Sequence, residues 1–247
     1  MIRHRHPAAA GLALAVLAVP LAGCTTTQER SASLKQHAGD AAHAKAFAVG
    51  RTNAKVRATQ VTTLAGEGAN TVVVRVENST GRPQVVVPIG VDLYDAKKAS
   101  FFSNRVDGLD MPLNNIPVAE PGTSWWVNNQ LPGQRAARTR VRIGTSKLAE
   151  PPALPQMKVS DVKLEDDAGT AVARGKVENL STVEQKRLTI FAVALKGDEV
   201  VAAGRAVVEK LAPKGGKRMA FNIYFTGDPT GAKLEISAPP STLGGAS

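Results

Sequence analysis

From about residue 54 onward, apolar and polar positions alternate in short runs separated by turn residues. A first group comprises VRATQVTTL (56–64), TVVVRVEN (71–78), QVVVPIGVDLYD (84–95), SWWVNNQL (124–131) and RTRVRIG (138–144). A second comprises MKVSDVKL (157–164), TAVARGKVEN (170–179), KRLTIFAVAL (186–195), EVVAAGRAVVEKL (199–211), KRMAFNIYF (217–225) and AKLEIS (232–237). Period-two alternation in runs rich in Val, Ile and Thr predicts β-strands that bury one face. Two sheets of such strands close on each other as a sandwich. Between the groups lies TSKLAEPPALPQ (145–156), whose three prolines remove donors and stiffen the chain. The pattern therefore predicts two β-domains, 54–146 and 157–238, joined by a Pro-rich linker at 147–156. Residues 239–247 are expected to form a loose, disordered tail.

The two groups repeat one another. Val76-Glu77-Asn78 recurs as Val177-Glu178-Asn179, an offset of 101, and Ile89 falls on Ile190 at the same offset. In each copy a polar turn and a long apolar strand follow, then a Pro-Gly turn (Pro121-Gly122; Pro213 to Gly216) and an aromatic strand. The matching order points to one β-domain duplicated. The first copy is longer, with FFSNRVDGLDMPLNNIPV inserted at 101–118. Asn78 and Asn179 are expected to tolerate left-handed backbone and to bond their own backbone. Pro88 interrupts a strand, which should be an edge or be bulged there.

The start of the chain has a different pattern. Arg3, His4, Arg5 and His6 precede an apolar run at residues 8–19, broken by Pro20. A basic region followed by a short apolar one is the layout of a secretory signal, and the run is too short to span a bilayer. Leu21-Ala22-Gly23-Cys24 follows, with the only cysteine of the chain. These four residues resemble the lipobox of bacterial lipoproteins. The resemblance implies that the Cys24 thiol takes a diacylglyceryl group and that cleavage falls before Cys24, removing residues 1–23. Two acyl chains hold firmly in a membrane without spanning it. The expected location is the cell membrane, lipid-anchored, on its extracytoplasmic side. Residues 24–53 are polar and Ala-rich, with no apolar stripe that would dock a helix, and are expected to form a flexible tether.

The first copy also carries Val91-Asp92-Leu93-Tyr94-Asp95. This resembles the F-x-L-Y-D signature of a small β-sandwich domain of bacterial envelope lipoproteins, in which a V-x-N turn leads into a long strand ending in Tyr-Asp. Val91 stands where that family has Phe, and the second copy reads Ala192-Val193-Ala194-Leu195-Lys196, without Tyr-Asp. The resemblance implies two tandem immunoglobulin-like β-sandwich domains used for attachment or binding, and it brings no catalytic residues with it.

Composition narrows the chemistry. Of four histidines, only His37 and His43 lie beyond the signal, both in the tether. Neither β-domain contains a His or a Cys, which excludes a Ser-His-Asp or Cys-His nucleophilic site and an ordinary zinc site within them. No cofactor is expected. The net charge is +10 at pH 7, and cleavage before Cys24 would remove Arg3 and Arg5 from it. A basic envelope protein is attracted to anionic lipids or wall polymers. It could equally use the charge for solubility alone. Nucleic acid is not expected as a partner outside the cell.

Two surface features are candidates for binding. Arg138, Arg140 and Arg142 alternate with Thr139, Val141 and Ile143, so a strand would place three guanidinium groups on one face. Such a row suits phosphate-bearing envelope components. It suits better still a solvated face that deters edge-to-edge pairing. Trp125 and Trp126 point to opposite faces. Val127 shares a face with Trp125, whereas Asn128 and Gln130 share one with Trp126. The pattern predicts Trp125 in the core and Trp126 exposed or half exposed as a contact residue, with packing under the 101–118 insertion or at the domain junction as the alternative. The cluster Glu165-Asp166-Asp167 could ligate calcium, but it lacks the spaced ligand pattern and reads more plainly as a hairpin turn. The sequence thus favours a binding or scaffolding module on the membrane, without catalysis, contacting an anionic envelope polymer or an envelope protein. A carboxylate-based hydrolase or accessory factor acting on cell-wall polymers, and a structural spacer without a ligand, are the alternatives.

Overall fold

The computed structural model describes residues 49–243 except 67 and 149–152. The signal, Leu21, Ala22, Gly23, Cys24 and both tether histidines lie outside the described residues. What is described belongs to one compact unit, Asp40–Ser247, and is all-β apart from one helical turn. The strands of the first half are β1 (Val56–Ala65), β2 (Ala69–Asn78), β3 (Gln84–Tyr94), β4 (Ser100–Ser103), β5 (Asn115–Ala119), β6 (Gly122–Pro132) and β7 (Arg138–Ile143), with helix α1 at Met111–Asn114. Those of the second half are β8 (Met157–Asp167), β9 (Thr170–Asn179), β10 (Gln185–Lys196), β11 (Glu199–Leu211), β12 (Met219–Tyr224), β13 (Thr226–Gly227) and β14 (Lys233–Ser237). Each half has two antiparallel sheets. In the first, β1-β2-β6 faces a sheet in which β3 pairs with β4, β5 and β7. In the second, β12-β9-β8 faces β13-β11-β10-β14.

The repeat is visible as identical local chemistry. Asn78 Nδ2 donates to the Arg82 carbonyl at 2.7 Å, while its Oδ1 accepts from the Thr80 N–H and hydroxyl. Asn179 does the same with the Val183 carbonyl and with Ser181. Neither Asn has a positive φ. The expected left-handed backbone is therefore absent, and it is the side-chain amide that closes each turn. The following strands share a backbone kink: Val86 has φ 48° and Arg187 has φ 52°, and the pairing omits both residues without a shift of register. The kink precedes Pro88, which sits where β3 ends its pairing with β5 and so needs no donor; the register does not shift there and β3 lies between β5 and β7, so the expected edge or bulge is absent.

The insertion splits a strand that is continuous in the second copy. β11 runs the full length of β10, whereas β4 and β5 pair with separate parts of β3. The fully buried Asn104 fills the gap between them. Its Oδ1 accepts from the Val91 N–H at 2.6 Å, and its Nδ2 donates to the Ile89 and Leu113 carbonyls. A side-chain amide thus replaces the missing rung of the ladder, leaving no buried backbone group orphaned there.

The halves stack face to face through the β1-β2-β6 sheet and the β10-β11 layer. On β2, Val72, Val74 and Val76 share a face with Trp126 of β6, and Val73 shares the opposite face with Trp125 and Val127. On β10, Ile190, Ala192 and Ala194 belong to the core of the second half. Phe191 and Val193 belong to the same apolar cluster as Val73 and Val127 of the first. Central strands buried on both faces carry continuous apolar runs in place of alternation, and TVVVRV and LTIFAVA are such runs.

Two boundaries differ from expectation. Val49 to Asn53 joins the fold: Thr52 bridges Gly144, and Asn53 Oδ1 accepts from the Lys55 and Val56 N–H groups. At the other end, residues 239–243 are not loose. Gln185 Oε1 accepts from the N–H groups of Ser241 and Thr242, and Gln185 Nε2 donates to the Thr242 carbonyl at 3.0 Å. A fully buried amide with four donor and acceptor sites needs such partners, and the terminal segment supplies them.

Polar groups fasten the rim of the stack. Trp125 Nε1 donates to Glu235 Oε2 at 2.8 Å, the Thr71 and Thr226 hydroxyls meet at 2.7 Å, and Gln60 Nε2 donates to the Asp198 carbonyl. Asp110, just before α1, takes Arg187 at 3.0 Å and Arg205 at 3.6 Å from the other half. The Arg205 side chain is 3% exposed and burial pulls its guanidinium below its usual pKa, whereas the hydrogen bond to Asp110 raises that of Arg187. Asp110→Ala would leave a buried cation without its carboxylate, so it should lower stability by on the order of 3 kcal/mol in urea unfolding. Glu235 gives a pH signature. The Lys233 ammonium first, and the Trp125 indole second, hold its carboxyl below the usual range. Its folded pKa lies under its unfolded value, so its contribution is complete above the unfolded pKa and is lost as pH falls through the folded one. Urea midpoints measured between about pH 6 and pH 3 should fall less steeply in Glu235→Gln than in the wild type.

Candidate functional site

The outward face of the β3 sheet carries the arginine row. Val87, Ile89, Val91 and Leu93 of β3 turn to the core, so Gly90, Asp92 and Tyr94 turn outward. Across the pair, Gly90 opposes Arg142, Asp92 opposes Arg140 and Tyr94 opposes Arg138. The alternation read from the sequence is thus realised, with Val141 and Ile143 packed in the core cluster behind the arginines.

The three arginines are not equivalent. Asp92, only 4% exposed at its side chain, binds Arg105 at 2.7 Å and Arg142 at 3.9 Å. Arg142 is half-buried and its Nε has no hydrogen-bond partner. Arg138 and Arg140 are exposed and form no ion pair among the described residues. They line a shallow cavity of about 400 Å³ with Tyr94, Asp95 and Lys98. Lys98 closes the turn after β3 with φ 67° and donates its N–H to the Asp95 carbonyl, which positions this cation beside the arginines.

The segment that leads into β1 crosses the same face. Val49 lies over Gly90 and Gly144, and a Cβ on Gly90 would meet Val49 Cγ2 at 3.0 Å and Arg105 Cδ at 3.2 Å. Glycine at 90 therefore leaves room for Val49 and the Arg105 stem. The sequence reading missed Arg105 and Lys98, which the Asp92 pair and turn geometry bring near the row. Only a correct placement of β4, inside the supposed insertion, would have located Arg105.

Trp126 is the main correction. It is fully buried, the largest such side chain among the described residues, and its Nε1 donates to the Pro112 and Asn115 carbonyls at 2.9 and 3.1 Å. It packs under the insertion and is not a surface contact residue. Trp125 is the half-buried one, against the second half, with the Arg75 guanidinium 5.8 Å from its ring centroid. Asn128 misled because it is itself buried, donating toward the Leu113 carbonyl and accepting the Gln130 N–H.

The acidic cluster forms the expected hairpin. Ala168 and Gly169 make its two-residue loop with φ 53° and 85°, and Asp166 Oδ1 accepts the Gly169 N–H. Glu165 and Asp167 both pair with Arg174. Among the described residues no three His, Cys, Asp or Glu side chains gather as metal ligands, and no helix is long and apolar enough to cross a membrane. A second concavity of about 590 Å³, rich in proline, lies where β5 and β6 meet the start of β8, and burial raises the Glu120 carboxyl at its rim.

No model of a known protein family and no curated protein matches this chain.

A Trp125→Phe variant leaves Trp126 as the sole tryptophan. Its emission should be blue-shifted and shielded from iodide, because the indole is enclosed and hydrogen-bonded. A red, quenchable spectrum would contradict the buried placement.

Proposed function

We propose that this protein is a lipid-anchored envelope lipoprotein that acts as a binding or scaffolding module, presenting a rigid β-stack above the membrane. Its anchor is Cys24, supported by the apolar run and the Leu21-Ala22-Gly23-Cys24 sequence. Its binding surface is the outward face of the β3–β7 pair. The observation that carries this part of the reading is the pair Arg138 and Arg140, exposed on a flat sheet face without an anionic partner among the described residues. Guanidinium forks placed in this way are suited to phosphate or carboxylate groups of an external ligand. The resemblance of Val91 to Asp95 to the F-x-L-Y-D domains agrees with attachment in place of chemistry. In this reading Asp92 has a structural part, since its carboxylate is taken by Arg105 and Arg142.

The anchor is tested by expression in a bacterial host followed by detergent phase partitioning and intact mass. The wild type should enter the detergent phase and weigh as a chain beginning at Cys24 plus a diacylglyceryl group. Cys24→Ser should stay at precursor mass. A wild-type chain cut elsewhere and free of lipid would overturn the reading.

A further inference from the structure

We propose that the arginine face of the β3–β7 pair docks on the anionic surface of the bilayer that carries the anchor, so that the stack lies with this sheet against the phosphate headgroups. The inference rests on the anchoring of Cys24 and specifies the ligand of the same face.

Three observations converge on it. The first is where the chain joins the fold. Val49 sits on Gly90 and Gly144, and Thr52 bridges Gly144, at the side of Arg142 and Arg105. The tether therefore arrives at the arginine face itself. A lipid on Cys24 would pull on the stack at this face, through the residues that lead into Val49.

The second is charge. Lys98, Arg138 and Arg140 are all exposed there without an ion pair among the described residues, and Asp92 is already taken by Arg105 and Arg142. The outer sheet at the far end of the stack is different. On β9 and beside β12, Arg174 pairs with Glu165 and Asp167, Lys176 with Asp161, and Arg218 with Glu178. Lys158 and Lys163 of that sheet are exposed without an ion pair among the described residues, but each lies apart on β8, whereas Lys98, Arg138 and Arg140 line one cavity at the end that meets the tether. A surface rich in anionic lipid attracts such unpaired cations, with an effect of about fivefold in binding for each.

The third is shape and residue type. The row lies on a sheet face, which can meet a planar surface at several points at once. Tyr94, half-buried and opposite Arg138, adds an aromatic ring with a polar tip of the kind that settles at headgroup level. Planar guanidinium groups also bind phosphate oxygens bidentately, which ammonium groups do not.

The test uses the mature chain, residues 24–247, carrying Cys24→Ser so that no lipid holds it. It is floated with vesicles of phosphatidylcholine containing roughly 30% phosphatidylglycerol, and with pure phosphatidylcholine vesicles. The protein should float with the first and not the second, and about 0.5 M salt should abolish binding. Arg138→Gln with Arg140→Gln should weaken binding by more than about tenfold. Lys214→Gln with Lys217→Gln, an equal loss of charge in the β11–β12 turn, should weaken it by less than about threefold. Arg138 and Arg140 have no partners to lose, so the double variant should keep the wild-type urea midpoint. If it does not, Arg138→Lys with Arg140→Lys serves in its place and should retain most of the binding. Equal binding to both vesicles, no binding to either, or an arginine variant that floats like wild type would each overturn the proposal. The mass of the wild-type anchor is read separately, so loss of the anchoring reading and loss of the docking face are distinguishable.

Discussion

The apolar layer between the β1-β2-β6 sheet and the β10-β11 layer is the constraint on which the rest of the molecule depends. Val73 and Val127 on one side meet Phe191, Val193 and Ala203 on the other, all of them buried. Full burial of a Val or Phe side chain contributes about 1.5–3 kcal/mol, so the layer adds a sizeable share of the stability to that of the sandwich cores. Its presence removes the solvent faces of β2 and β10. Each sandwich is then left with only one outer face, which determines where any ligand of a sheet face could bind.

An apolar layer alone would tolerate sliding, because hydrophobic contact has no direction. The polar pairs at its rim remove that freedom. Trp125 meets Glu235, Thr71 meets Thr226, and Asp110 meets Arg187 and Arg205, each joining one half to the other at a fixed point. The Arg205 pair is expensive. Its guanidinium is buried, its Nη1 has no partner, and its only carboxylate lies 3.6 Å away. Such a group adds little net stability compared with an apolar residue, but it strongly disfavours any packing in which Asp110 is absent. The insertion in the first half supplies Asp110, and the same insertion covers Trp126. The feature that breaks the symmetry of the repeat is therefore also what ties the two copies together.

Much of this was legible in the sequence. The period-two runs located nearly every long strand, and the offset of 101 between the VEN turns reappears as identical amide-closed turns and as positive-φ kinks at Val86 and Arg187. The arginine alternation on β7 also translated directly into an outward row. Three things did not. Phe101 to Val118 hides β4, α1 and β5, because strands this short, interrupted by the buried Asn104, leave no period to detect. The tryptophans were exchanged because polar neighbours signal solvent only on a half-buried sheet. The β1-β2-β6 sheet is covered on both faces, and Asn128 is buried with its hydrogen bonds made. The docked Pro239 to Leu243 segment was missed because its partner, Gln185, is a polar residue whose burial nothing local announces.

The buried Asp92 places one negative charge among the cations of the arginine face. Several guanidinium groups on adjacent strands repel one another, and an exposed row would splay in solvent. A single carboxylate set into the sheet between them holds Arg105 and Arg142 by their head groups and lowers the local repulsion. Arg140, directly across the strand from Asp92, benefits from the same field without surrendering its exposed guanidinium to it. The arrangement separates two tasks. Arg105 and Arg142 stabilise the face, while Arg138 and Arg140 remain available outward. On the proposed reading, preorganisation of this kind matters because each cation contributes little alone at a hydrated, screened surface. Adhesion then depends on several cations meeting the headgroups together from one rigid sheet, with the lipid on Cys24 keeping them within reach.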